Sequence, residues 1–158
     1  LPLFGMRFKF NKEYDKFKYF GRGAEENYID RNMGARLDVF EKNVKDNLTP
    51  YLTPQECGGR TDVRWAEIRS AEDEGIRFRS EGENFELSVL PYSFLELEQA
   101  GHQFELPEQN YTYATIIMKQ MGVGGDDSWG APVLEEFCIP SNVDYEYSFY
   151  ITKAGGEE

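Results

Sequence analysis

Histidine is nearly missing from this chain: His102 is the only one among 158 residues. With one histidine, no His/Cys/Asp cluster at metal-ligand spacing can be found, and no Ser-His-Asp arrangement can be read from spacing. Cysteine is also scarce. Cys57 and Cys138 lie far apart and form no Cys-x-x-Cys pair, which excludes the usual zinc and redox motifs. A single disulfide is open to them, although two thiols of a reducing compartment fit better. No long apolar run exists, so no membrane-spanning helix is expected, and no leader-like stretch opens the chain. The first residue is Leu rather than Met, so the sequence reads as a trimmed or excised piece. Basic residues are outnumbered, 17 Lys and Arg against 29 Asp and Glu, for a net charge of −12. That balance excludes a phosphate-binding face and with it nucleic acid as a partner. It argues equally against an anionic membrane surface. Part of the charge simply keeps the chain soluble. No repeat, low-complexity tract or linker divides the sequence, so one domain over residues 1–158 is expected.

What is abundant is aromatic. The chain holds 12 Phe and 10 Tyr and is 40% hydrophobic, enough for a core and biased toward strands. Phe4, Met6, Phe8 and Phe10 alternate with Gly5, Arg7 and Lys9, a period-two strand. Phe17 and Tyr19 alternate with Lys16 and Lys18 to give a second. A polar loop from Phe20 to Arg31 follows, with paired arginines and acids. Leu37 to Val44 fits either a strand or a helix face. Pro50 and Pro54 rule out a regular element between them, and Gln55 to Arg60 is another polar loop. Thr61, Val63 and Trp65 predict a strand; so do Ile76 with Phe78, and Phe85, Leu87 and Val89. Ser93 and Glu96 match a capping box for a short helix ending near Gly101. Tyr111 to Met118 is an apolar strand, Val133 to Ile139 a strand or part of one, and Tyr145 to Ile151 the last strand. The sum, eight or nine short strands and one helix, predicts an antiparallel all-β sandwich.

The stretch that stands out is Met121-Gly-Val-Gly-Gly-Asp-Asp-Ser-Trp-Gly130. Glycine frees its backbone, Asp126, Asp127 and Ser128 offer hydrogen bonds, and Trp129 offers a rigid stacking face. A ligand with hydroxyls and one apolar face, such as a sugar, suits that set. The alternative is a long hairpin loop whose Trp129 covers the edge of the core. Adjacent Asp126 and Asp127 are no evidence for the two positioned carboxylates of a glycosidase. His102, just past a helix end, reads as a cap as readily as a proton-transfer group. Gly122, Gly124 and Gly125 lack the Lys-Ser/Thr ending of a phosphate loop.

Several longer motifs occur in order: Leu1-Pro2 with Gly5-Met6-Arg7-Phe8, Tyr19-Phe20-Gly21-Arg22-Gly23, Glu26-Asn27-Tyr28-Ile29-Asp30-Arg31, Pro50-Tyr51, Pro54-Gln55-Glu56, Arg60 to Trp65, Leu90-Pro91-Tyr92-Ser93, His102 with Glu105-Leu106-Pro107, and Gln120 to Gly130. Together they resemble the C-terminal domain of the large β-galactosidases of glycoside hydrolase family 2. The resemblance implies the C-terminal part of a β-supersandwich related in fold to galactose mutarotases. It implies an accessory role in hydrolysing terminal β-D-galactosides such as lactose, with no catalytic residue in this chain. The catalytic glutamates, and the Mg and Na of the family, belong to a barrel domain absent from it. Trp129, with Asp126, Asp127 and Ser128, would complete and gate the sugar site beside that barrel. A bacterial, cytoplasmic homo-oligomer is implied. Leu3, Ala24, Cys57 and Ile117 depart from the family's usual Arg, Pro, Asn and Asp; the changes at Leu3 and Ile117 remove polar groups that could line or brace the site. An autonomous carbohydrate-binding module, or a mutarotase-like enzyme using His102, are the rival readings.

Overall fold

The computed structural model describes residues 1–127 and 129–155. Within them the period-two patterns become nine strands: β1 (Leu3–Asn11), β2 (Lys16–Gly23), β3 (Arg36–Asn43), β4 (Gly59–Val63), β5 (Trp65–Arg69), β6 (Gly75–Ser80), β7 (Phe85–Leu90), β8 (Tyr111–Gln120) and β9 (Phe149–Lys153). They form two antiparallel sheets, ordered β1-β8-β7-β4 and β3-β2-β5-β6-β9. One core cluster joins the sheets: Phe17, Tyr19, Ile68 and Phe78 from the second meet Val63, Leu87, Val89 and Ile116 from the first. The fold is therefore an all-β sandwich, with a single short helix, α1 (Phe94–Gln99), among the described residues.

β2 shows most directly how the sequence makes the sheet. Phe17, Tyr19, Gly21 and Gly23 are buried and the residues between them are not. The strand runs on to Gly23, so the loop expected from Phe20 begins later. Its glycines are core positions where no side chain fits: a Cβ on Gly21 would stand 2.8 Å from Cγ2 of Val63, and one on Gly23 would strike the Tyr19 hydroxyl. Thr61 to Trp65, expected as one strand, is split. Asp62 takes a φ of 60°, the β4–β7 register shifts there, and the chain passes from one sheet to the other at Arg64. Both Arg64 backbone groups are used in the crossing, N–H to the Phe20 carbonyl and C=O from the Ser80 N–H, each at 2.9 Å.

Leu37 to Val44 resolves as strand β3 followed by a single 3₁₀ turn, Val44–Asn47. β3 is an edge strand, which is why Leu37 and Val39 are exposed while Phe40 is buried. Val133 to Ile139 is not a strand; its centre is a 3₁₀ turn, Glu135–Phe137. Tyr145 and Tyr147 precede β9 rather than belonging to it. Their rings pack on Phe4 at 5.5 and 5.8 Å, so tertiary contact imitates the alternation of a strand. The capping box forms as expected, with the Ser93 hydroxyl accepting from the Glu96 N–H and the Glu96 carboxylate accepting from the Ser93 N–H. Cys57 is buried, Cys138 half-buried, and both are free thiols. Among the described residues no helix is long and apolar enough to cross a membrane.

Candidate functional site

β8 delivers the chain directly into the glycine-rich stretch. The stem of that loop is tied down by three hydrogen bonds. The Met121 N–H donates to the Pro2 carbonyl and the Gly122 N–H to the Phe137 carbonyl, each at 2.9 Å. The Gly124 N–H donates to Oδ2 of Asp30 at 2.7 Å. At the tip, Oδ1 of Asp127 accepts from the N–H of Trp129 (2.8 Å) and of Ala131 (3.2 Å), an Asx-type turn that shapes the backbone around the tryptophan. Trp129 itself is 92% exposed. The alternative in which it covers the core edge is thereby excluded. Asp126 is also exposed. Ser128, read as a site residue, lies outside the described residues.

An open cleft of about 830 Å³ lies at the foot of this loop. Met121, Gly122 and Val123 line it from one stem of the loop and Val133 from the other, joined by Leu3, Tyr28, Tyr51, Glu56, Phe94 and Gln120. Glu56 is the chemically unusual member. Burial, which disfavours its charged form, pushes its carboxyl up to about 7 against the hydrogen bonding of Gln120 and Tyr28. Oε1 of Glu56 and Oε1 of Gln120 are buried without a hydrogen-bond partner among the described residues. Burial and the nearby charges of Glu56 and Glu26 push the Tyr28 hydroxyl up as well.

Behind the cleft the two polar loops, whose role spacing left open, meet on Glu26. Its Oε1 accepts from the Tyr51 hydroxyl and from Arg31 at 2.8 Å. Its Oε2 accepts from the Thr49 hydroxyl and the Gly58 N–H, each at 2.8 Å. Burial alone would raise this carboxyl, but the hydrogen bonds from Tyr51, Gly58, Thr49 and Arg31 together hold it below its ordinary range. Asn27 adds a second tie, its Oδ1 accepting from the N–H (3.0 Å) and hydroxyl (2.7 Å) of Thr61. The loops therefore brace one another. Glu26, Glu56 and Gln120 were not legible as a group, because they are spread over the chain and each looks like one more solvated polar residue.

A family described as "Beta galactosidase small chain" matches residues 1–151. The chain belongs to that family. It is 46% identical over 153 residues to a β-galactosidase of Halalkalibacterium halodurans, covering 97% of this chain and 15% of that protein. It is 40% identical over 150 residues to one from Streptococcus thermophilus, covering 95% and 15%. A β-galactosidase small subunit of Latilactobacillus sakei is 33% identical over 162 residues, covering 96% and 50%. The chain thus spans about 15% of the first two relatives and half of the third.

Within this small-chain family member, the remaining sequence candidates sort clearly. Oδ1 of Asp127 accepts from two backbone N–H groups, which shapes the turn around Trp129. His102 stands outside the cleft, exposed, with Nδ1 3.1 Å from Glu105 Oε1 and its ring stacked on Phe104. In that placement its neighbours are Glu105 and Phe104 rather than the groups of the cleft. Leu3 does line the cleft, whereas Ile117 is fully buried in the core.

Glu56 also sets a pH dependence. Its folded pKa of about 7 lies above the ordinary 4.5, so the folded state holds a proton that the unfolded chain has released across that window. Stability is therefore greatest below pH 4.5 as far as this group is concerned, and falls as pH rises toward 7. Glu86, pushed by burial up to about 8, acts in the same direction. Solvent screening at its half-buried position leaves Glu56 a share of roughly 2 kcal/mol. Glu56→Gln should flatten the fall in melting temperature between pH 5 and pH 7; an unchanged slope would place the titration elsewhere.

Proposed function

We propose that this chain is an accessory part of a β-galactosidase, set beside a catalytic unit carried by the rest of the protein, and that it presents Trp129 to the galactoside. One observation carries the reading: a tryptophan 92% exposed on a loop fixed at its stem and its tip. Large apolar rings are normally withdrawn from water, and one displayed on a pinned backbone is a prepared stacking surface. Asp126, three residues earlier on the same loop, is exposed and would be open to substrate hydroxyls, with Ser128 preceding Trp129 in sequence. Cleavage itself is assigned to two glutamates outside this chain, together with the Mg and Na of the barrel, as the family resemblance implies. The loop completes and gates the sugar site in this reading. The test is galactoside turnover by the whole enzyme bearing Trp129→Ala; unchanged kinetics would remove the role.

The same proposal extends to assembly. The edge strands β3 and β9 expose Leu37, Val39, Tyr150 and Ile151, and unpaired strand edges with apolar side chains invite association. The isolated chain should therefore self-associate, and Val39→Lys should reduce it. A monodisperse monomer at high concentration in light scattering would count against this.

A further inference from the structure

We propose that Asp30 is a positioning residue for Trp129, acting through the backbone of the glycine loop; this rests on Trp129 facing the galactoside. Asp30 lies 94 residues before its partner in sequence. A tight turn presents it: the Arg31 N–H donates to the Tyr28 carbonyl at 2.8 Å and the Tyr28 N–H returns to the Arg31 carbonyl at 3.3 Å. From there Oδ2 of Asp30 accepts the Gly124 N–H at 2.7 Å, a short bond strengthened by the charge on the acceptor. The loop is shaped to allow the approach. A Cβ on Gly122 would stand 2.5 Å from that same oxygen, and one on Gly124 3.3 Å from it. Two of the longest sequence motifs, Glu26 to Arg31 and Gln120 to Gly130, thus meet in a single hydrogen bond.

Of the three ties on the stem, the other two end on backbone carbonyls, of Pro2 and Phe137. Asp30 is the one tie made by a side chain. Its other oxygen, Oδ1, is buried with no partner among the described residues, so the bond to Gly124 is what the carboxylate gains at this place. A carboxylate placed so is better explained by fixing the loop than by general stability. Misplacing a stacking ring by about 1 Å costs orientation that binding otherwise supplies.

The experiment is β-galactoside turnover by the whole enzyme in four forms: Asp30→Ala, Asp30→Asn, Trp129→Ala, and Asp30→Ala with Trp129→Ala. Asp30→Ala is expected to lower kcat/KM about tenfold. Asp30→Asn should recover most of that, because an amide oxygen still accepts the Gly124 N–H. The double variant should be no worse than Trp129→Ala alone, a non-additivity that a residue supporting only the fold would not show. If Asp30→Ala does not accumulate folded, Asp30→Ser, too short to reach Gly124, takes its place. Wild-type kinetics in Asp30→Ala beside an impaired Trp129→Ala overturns the inference and leaves the role of Trp129 standing. Losses that multiply in the double variant overturn it too. Unaltered kinetics in Trp129→Ala removes the reading beneath it.

Discussion

Trp129→Ala in the whole β-galactosidase should lower kcat/KM for a β-galactoside roughly 30- to 150-fold and leave the melting temperature where it was. The size follows from what a sugar hides by stacking on an indole. About 100 Å² of apolar surface withdrawn from water, together with the ring's own preference for such a face, is worth about 2–3 kcal/mol. The stability half of the expectation follows from exposure. A side chain 92% open to solvent makes almost no packing contact to lose, and such substitutions normally fall within about 0.5 kcal/mol of neutral. Tyr or Phe at this position should recover part of the activity, since each keeps a flat ring. A titration of the isolated chain with galactose and lactose separates accessory part from autonomous module. No binding at millimolar sugar means that the chain offers one wall of a site; binding that is lost with Trp129→Ala means that the loop suffices alone.

Glu26→Ala should be strongly destabilising, costing roughly 2–4 kcal/mol through the donors it leaves unpaired. Glu26 is nearly enclosed, with 12% of its side chain exposed, and its carboxylate accepts from Tyr51, Arg31, Thr49 and the Gly58 N–H. Removing it orphans an inward-facing backbone N–H and leaves Arg31 without its anion. The Gly58 end is unforgiving, because Gly58 holds a φ of +71° and a Cβ there would meet Asn47 at 2.7 Å. Glu26→Gln should cost less, since it keeps oxygen for some donors and loses the charge. The pH sign is opposite to that of Glu56. The folded pKa of Glu26 is depressed, so its stabilisation is present above the unfolded value and is lost as pH falls through the folded one. Chemical denaturation at pH 7 and at pH 4 would check both points; a Glu26→Ala chain as stable as the parent would show that the loops are braced by something else.

The sandwich was legible because burial on one face of a strand imposes period two, and β2 carries that period without a fault. The helix start was legible because Ser93 and Glu96 satisfy its first N–H groups locally. What failed was what neighbours decide. Thr61 to Trp65 alternates correctly yet crosses between sheets, because the turn at Asp62 depends on strands far away in sequence. Tyr145 and Tyr147 alternate without being a strand, because rings against Phe4 need the same spacing. In the candidate site, the glycines, acids and Trp129 were visible as a loop, and their order carried the family resemblance. That Trp129 faces water rather than the core was not visible.

By itself, then, the sequence determined the class of fold, the capped helix, and the loop on which function is proposed. All of these rest on local rules: side-chain period, cap chemistry, and the backbone freedom of glycine. Only the tertiary structure decided which partners each polar residue meets. Asp127 folds back on its own backbone, Glu26 gathers two loops, Glu56 is driven toward its neutral form, and Asp30 reaches across 94 residues to hold Gly124. The reason is physical. A carboxylate looks the same in every sequence, and its burial and its donors, which set what it does, come from segments that only folding brings together.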